Sequence, residues 1–241
     1  MAFIERFRDN YVSLDLIRVG GKGDGGYLIP DVRNDISHCF SPGVSDTANF
    51  EDELSKTNRI KSFMADASVD NSPLSNDDFN FIKKYLGNRS NGDFITLKDW
   101  MNDSLNGDEN GLLLQMDIEG GEYDVLIYES AETLSRFSVM VIEFHSWQLI
   151  FQHHFLKMIS SIFEKIFENF VICHVHPNNC CGIAEYEKIE VPRVLEITFI
   201  RKDLIDKFIS SKKINLPHTL DQKNVKQNAD IFMPVIWWKK D

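Results

Sequence analysis

The stretch 111–126, GLLLQMDIEGGEYDVL, restricts the possible fold more than any other part of the chain. Leu112, Leu113 and Leu114 form a short apolar run of the kind buried on both faces of a parallel sheet. The chain then turns acidic at Asp117, Glu119 and Glu122, and Gly120 and Gly121 break it between the acids. Tyr123, Val125 and Leu126 resume an apolar pattern at helical spacing. Strand, charged turn and helix make the repeating unit of an open α/β sheet, whose ligands gather beyond the carboxyl ends of the strands. A plainer use exists for Glu119 and Glu122, because carboxylates favour a helix N-terminus. That use suffices for Glu122. It does not account for Asp117, which ends the strand before the helix begins.

Other segments repeat the unit. Residues 36–44, ISHCFSPGV, read as a strand running into a turn at Gly43. A helix is expected next, capped by Ser45 or Asp46, with Phe50 and Leu54 on one face. Residues 59–66, RIKSFMAD, form a second strand ending in Asp66. Asp66 lies about 20 residues after the first turn, where a nucleotide-binding sheet places the acid for a ribose diol. Residues 79–86 read as a third strand, and 93–105 as a short strand and a helix containing Leu97, Trp100 and Met101. Further strands are expected at 139–145, 170–176 and 194–200, with a helix over 151–170. The last two strands leave no room for a crossover helix, so 177–193 is expected to be a long hairpin and the final strand antiparallel. The predicted class is α/β: a mostly parallel sheet, helices on both faces and an antiparallel last strand. One domain spans 1–241. Its parts are an N-terminal helix and Gly-rich segment (1–35), a core (36–205) and a C-terminal extension (206–241). The N-terminal helix, over 1–17, carries Phe3, Phe7, Tyr11 and Leu14 on one face. The glycines of 18–30 mark a hairpin or a backbone that approaches a ligand. The extension reads as a helix followed by a polar tail with Trp237 and Trp238.

The segment DIEGGEYDVL resembles the D-x-E-G-x-E-x-x-V-L signature of FkbM-type methyltransferases, with Asp117, Glu119, Gly120, Glu122, Val125 and Leu126 in place. RVGGKGDGGYLIP, SPGVSDTANFE, FMAD, VIEFH, HVHPNN and PRVLEITFIRKDL look like segments of a branch of that family. The first turn departs from the pattern, with SPGVS where most members have D-x-G-A-x-x-G. The resemblance implies a Rossmann-like methyltransferase fold, S-adenosylmethionine (SAM) as cofactor and an enzyme of the EC 2.1.1 class. Gly43 and Asp66 would then line the cofactor, with Ser41 and Glu51 beside them. Family members commonly methylate hydroxyls, so the implied acceptor is a sugar, glycan or glycosylated metabolite.

Asp117, Glu143 and His145 fall at the ends of the fourth and fifth strands, and His174 and His176 at the end of the sixth. In extended chain, residues two apart share a face, so E-x-H and H-x-H each present a pair. Carboxylates and imidazoles suit a divalent metal: magnesium if oxygen dominates, and manganese, iron or zinc if histidines join. The expected metal ligands are Asp117, Glu143, His145, His174 and His176. Methyl transfer to oxygen requires the acceptor hydroxyl to lose its proton. His145 is the expected base and Glu119 its substitute, with Asp117 beside them. Asn178 and Asn179 are expected to hydrogen-bond a polyol, and Trp147 to stack on a sugar face. The plainer reading of each histidine is a hydrogen-bonded residue at a sheet edge. Two other functions fit the same residues: a metal-dependent hydrolase that activates water, and a non-catalytic domain that keeps the fold.

A formal net charge of -11 over 241 residues argues against nucleic acid as the main partner. A small-molecule or glycan acceptor is expected instead, with a homo-oligomer left open. No apolar run approaches the ~20 residues that span a membrane, and the start MAFIERFRDN lacks the pattern of a signal peptide. A cytoplasmic location is expected. Cys39, Cys173, Cys180 and Cys181 form no C-x-x-C pair and are expected to be reduced thiols.

Overall fold

The computed structural model describes residues 1–210 and 215–239. The chain opens with α1 (Ala2–Asp9) and the hairpin of β1 (Leu16–Val19) and β2 (Tyr27–Pro30). Next come β3 (His38–Pro42), α2 (Asn49–Asn58), β4 (Lys61–Ala65) and β5 (Phe79–Ile82). The short pair β6 (Tyr85–Leu86) and β7 (Phe94–Ile95) leads into α3 (Leu97–Ser104) and β8 (Leu112–Met116). After α4 (Glu122–Tyr128) and α5 (Ala131–Ser135) come β9 (Phe137–Phe144), α6 (His153–Asn169) and β10 (Phe170–Pro177). The hairpin of β11 (Ile183–Tyr186) and β12 (Ile189–Pro192) precedes β13 (Leu195–Arg201).

Seven strands form one sheet in the order β10-β13-β9-β8-β3-β4-β5. From β9 to β5 the neighbours are parallel, whereas β13 runs antiparallel to both β9 and β10. This is the Rossmann-like methyltransferase fold expected from the sequence. The antiparallel strand follows from chain length: residues 178–194 hold only a hairpin, which cannot carry the chain back to the starting edge.

The sheet separates two apolar cores, and the strand residues alternate between them. Leu112, Leu114, Met140, Ile142 and Phe199 pack with Ile159, Ile162, Phe163 and Ile166 of α6. Leu113, Val139, Val141 and Ile200 pack with Val19, Tyr27 and Ile29 of the hairpin and with Phe50 and Leu54 of α2. Burial on both faces is why β8, β9 and β10 read as nearly unbroken apolar runs. The polar residues among them, Gln115, Glu143, His174 and His176, are therefore costly to bury and must find partners.

Four local expectations are corrected. The first helix ends at Asp9, and Tyr11 and Leu14 form bridges to Ile172 and Ile209 instead. Val12 N–H bonds to Ile172 O, and Ile172 N–H to Asn10 O, so strand pairing displaces a further helical turn. Neither Ser45 nor Asp46 caps α2, which starts at Asn49. Ser45 has a left-handed backbone, and its N–H is taken by Asp66. Beyond 201 the chain makes a 3₁₀ turn over Lys202–Lys207 rather than an α-helix. Residues 211–214 and 240–241 of the expected helix and tail lie outside the described residues, and Trp237 and Trp238 are buried against the core. Cys180 and Cys181, adjacent in the turn after β10, are joined in a disulfide rather than reduced as expected. Among the described residues no helix is long and apolar enough to cross a membrane.

Candidate active site

A cavity of about 470 Å³ opens at the carboxyl ends of β3, β4 and β8, lined by Gly43, Glu51, Asp66, Tyr85, Phe94 and Asp117 among others. Gly43 has φ +87°, and a Cβ there would overlap the carbonyl oxygen of Asp117. Only glycine lets the turn after β3 pass this close to the turn after β8. Asp66 follows β4 and is held in place at the cavity wall. Its Oδ2 accepts the Ser45 N–H at 2.9 Å, and its Oδ1 accepts the Ser68 N–H and hydroxyl at 2.8 and 2.6 Å.

Glu51 reaches the cavity wall from α2, although it is almost wholly buried. Burial raises its carboxyl above the ordinary range, opposed by the Ser41 hydroxyl. Ser41 does not line the cavity as the sequence suggested. It is fully buried on β3, with its hydroxyl bound to Glu51 and, at 2.5 Å, to Gln115 Oε1. Gln115 Nε2 in turn donates to the Tyr27 hydroxyl at 3.2 Å, so Ser41 belongs to the polar layer beneath the cavity.

The turn between β8 and α4 is built around Glu122, a role that its place at a helix N-terminus did not disclose. Glu122 is fully buried, and its Oε1 accepts the N–H groups of Ile118 and Gly120, both at 3.2 Å. The same oxygen lies 2.9 Å from His145 Nδ1. A carboxylate can only accept there, so the proton sits on Nδ1. His145 Nε2 is left facing Glu119 at 3.3 Å, Glu143 at 3.6 Å and Asp117 at 3.8 Å. The second glutamate of the D-x-E-G-x-E signature was the sequence signal for Glu122.

Burial lowers the pKa of His145. The hydrogen bond and charge of Glu122, followed by Asp117 and Glu119, outweigh it, so the net shift is upward. Burial pushes Asp117 up to about 7, with His145 opposing and Glu119 and Glu122 reinforcing the rise. Glu143 is raised well above its usual range by burial and then by Asp117 and Glu196. Its Oε1 accepts from Asn178 Nδ2 at 3.0 Å. Glu143 Oε2 and Asp117 Oδ1 are buried without any hydrogen-bond partner. The cluster thus holds more carboxylate than its own hydrogen bonds stabilise.

His174 and His176 do not join this cluster. Glu143 of β9 pairs with Glu196 of β13, and Glu196 pairs with His176 of β10. Because β13 is inserted between β9 and β10, the end of the sixth strand is two strand spacings away, roughly 9–10 Å. The histidines engage the C-terminal segment instead: His174 Nε2 is 2.9 Å from Asp221 Oδ1, and His176 Nδ1 is 3.7 Å from Asp221 Oδ2. Burial lowers His176, but Glu196 and Asp221 push it up to about 9.

The expected substrate contacts are also corrected. Asn178 is occupied by Glu143, and Asn179 clasps the backbone N–H and carbonyl of Val225 at 2.8 and 2.9 Å. Both are buried. Trp147 has no exposed surface and packs against Phe3, Phe7, Phe144, Phe163 and Trp237, so it cannot stack on a sugar.

No curated protein matches the chain. Among solved structures, it is similar to a Methanococcus jannaschii fibrillarin pre-rRNA processing protein, with 9% identity, TM-score 0.41, and coverage of 78% of this chain and 83% of that one. It is similar also to a variant of MtNAS in complex with S-adenosylmethionine, with 11% identity, TM-score 0.32, and coverage of 69% and 55%. A third is a putative rRNA-methylase from Clostridium thermocellum, with 5% identity, TM-score 0.36, and coverage of 75% and 93%. Residues 94–168, which run from β7 into α6 and include Asp117, Glu119, Glu122, Glu143 and His145, match the family model of the methyltransferase FkbM domain, and over this stretch the chain carries the family resemblance first visible in DIEGGEYDVL.

Proposed function

We propose that the protein is a SAM-dependent O-methyltransferase whose acceptor is a hydroxyl of a sugar, glycan or glycosylated metabolite. The observation that carries this reading is the convergence of His145 and Glu143 on the cavity-lining Asp117 and Glu119, with His145 Nε2 facing all three carboxyl groups. The cavity suits the cofactor: Tyr85, Leu86 and Phe94 offer an apolar wall for a purine, and Asp66 offers an acid for ribose hydroxyls. Asp46, Glu51 and Asp117 add an acidic lining suited to a sulfonium cation. When bound, SAM supplies an already activated methyl group. The protein aligns the acceptor and removes its proton. His145 Nε2 takes that proton while Glu122 holds Nδ1–H and stabilises the imidazolium.

Asp117, Glu143 and His145 also fit a divalent cation. Their donor atoms lie within 4.8 Å of one another, and two of the buried carboxylate oxygens are unpartnered. Such an ion, when bound, lowers the pKa of the acceptor hydroxyl. His145 then serves as a ligand, and the exposed Glu119 is the group placed to receive the proton.

Asp66→Ala is expected to weaken SAM binding more than tenfold, about 1.4 kcal/mol or more, as read by calorimetry. Unchanged affinity in a folded variant would refute the cofactor placement. The reaction itself is tested by isotopic methyl transfer from SAM across sugar nucleotides, glycans, phenols and RNA, with and without chelator. Transfer to carbohydrate, lost by roughly 100-fold or more in His145→Ala, is the expected result. Transfer to RNA with none to carbohydrate would overturn the acceptor class. Carbohydrate transfer that survives both His145→Ala and Asp117→Ala would refute the mechanism.

A further inference from the structure

We propose that His174, His176 and Asp221 form a second metal site, distinct from the Asp117 cluster, which takes a zinc-class transition ion and fastens residues 215–239 to the sheet. The three donor atoms lie within 4.8 Å of one another. The two histidines stand two apart on β10 and project from the same face, their rings nearly parallel at 12° with centroids 6.5 Å apart. Asp221 approaches from the C-terminal segment and spans both rings with its two oxygens. All three side chains are at most 8% exposed, and His174 also lines a cavity of about 680 Å³ that opens to solvent.

The orientation of His176 is set from behind. Asn224 Nδ2 donates to Glu196 at 2.6 Å and to Asp24 at 3.0 Å, which turns Asn224 Oδ1 towards His176 Nε2 at 3.2 Å. Nε2 therefore carries a proton, and Nδ1 is the nitrogen that faces Asp221. Its 3.7 Å separation from Asp221 Oδ2 is too long for a hydrogen bond. It is close to the roughly 3.4 Å between two ligands on one tetrahedral zinc. An imidazole whose far N–H is held by a side-chain acceptor is the usual support of a metal ligand. A cavity of about 20 Å³ touches His176, Asp221 and Asp230 and has space for one water. Two imidazoles and one carboxylate favour zinc, manganese, iron, cobalt or nickel over magnesium or calcium. Binding would release the proton that His174 Nε2 now shares with Asp221 at 2.9 Å and the second ring proton that His176 holds at Nδ1 beside Asp221.

The consequence is mechanical. The segment that carries Asp221 also carries Asn224, bonded to Glu196, and Val225, bonded to Asn179. Glu196 is the neighbour of Glu143 across β13 and β9. An ion on Asp221 would lock a segment that closes the sheet edge beside the candidate active site.

The test uses the full chain, stripped with chelator and titrated with Zn²⁺ against a chromophoric chelator, with melting temperature as a second readout. A variant carrying Asp117→Asn and Glu143→Gln disrupts both other candidate clusters, Asp117–Glu143–His145 and Asp24–Glu143–Glu196, so failure of the catalytic proposal does not affect this one. That variant is expected to bind one Zn²⁺ per chain and to melt at a higher temperature when loaded. Adding Asp221→Asn or His176→Gln should weaken binding by roughly 100-fold and abolish the melting shift; circular dichroism reports whether each variant folds. Should these fail to fold, Asn224→Ala leaves every ligand in place and should weaken binding about 10-fold or more. No zinc bound by the double variant, or affinity unchanged by all of these substitutions that fold, would overturn the proposal.

Discussion

Glu122→Ala is expected to reduce methyl transfer by about 10²–10³-fold, within the range for loss of a positioned general base. Glu122 touches neither cavity nor acceptor; it acts through His145. One oxygen holds the Ile118 and Gly120 N–H groups and His145 Nδ1, so truncation releases the imidazole and leaves two backbone donors unpaired at once. Glu122→Gln separates the two effects. Its carbonyl oxygen can still accept all three bonds, so the turn should persist, but the negative charge is gone. Because Glu122 is the first of the groups that raise His145, the His145 pKa should fall in this variant. A base works only when neutral, so the acidic limb of the rate profile should move to lower pH, while the maximal rate drops as the weaker base loses driving force. An unchanged rate and an unchanged profile in a folded Glu122→Gln variant would remove His145 from the proton transfer.

Trp147→Ala should destabilise the fold by about 3–5 kcal/mol, the range for large aromatic truncations in a core. A chain of this length loses roughly 2–4 °C in melting temperature per kcal/mol, so the shift should be readily measured. Trp147 follows β9 and lies at the centre of an aromatic cluster, with ring centroids 5.5 Å from Phe144, 5.8 Å from Phe163 and 6.1 Å from both Phe3 and Trp237. These partners come from α1, β9, α6 and the C-terminal 3₁₀ turn Val235–Trp237, so the cavity left by alanine would weaken contacts between four separate segments. Trp147 Nε1 has no hydrogen-bond partner, and Trp147→Phe, which removes that buried donor, should cost less than half as much. Normal stability with lost acceptor affinity in Trp147→Ala would restore the sugar-stacking role that the structure rejects.

The parts of this protein that were legible in its sequence are those set by local periodicity. Leu112 to Leu114 needed two buried faces, Phe151 to Phe170 repeated at helical spacing, and the short interval between the last two strands allowed no parallel crossover. Asp66 and Asp117 could be placed at strand ends because a change from apolar to acidic residues marks where a buried strand emerges. Partnerships were not legible, because they depend on which strands become neighbours. Placing β13 between β9 and β10 parted His176 from Glu143, although both stand at strand ends, and left the two histidines to Asp221, a residue 45 positions beyond His176 in the chain. Glu122 looked like a helix-end acid until the fold brought His145 to its oxygen. Trp147 and Asn179 carry side chains suited to a ligand, but the tertiary structure gave them to the core and to the Val225 backbone. Local pattern determines where a polar group leaves a strand. Only packing decides whether that group then meets solvent, a ligand or another segment of the same chain.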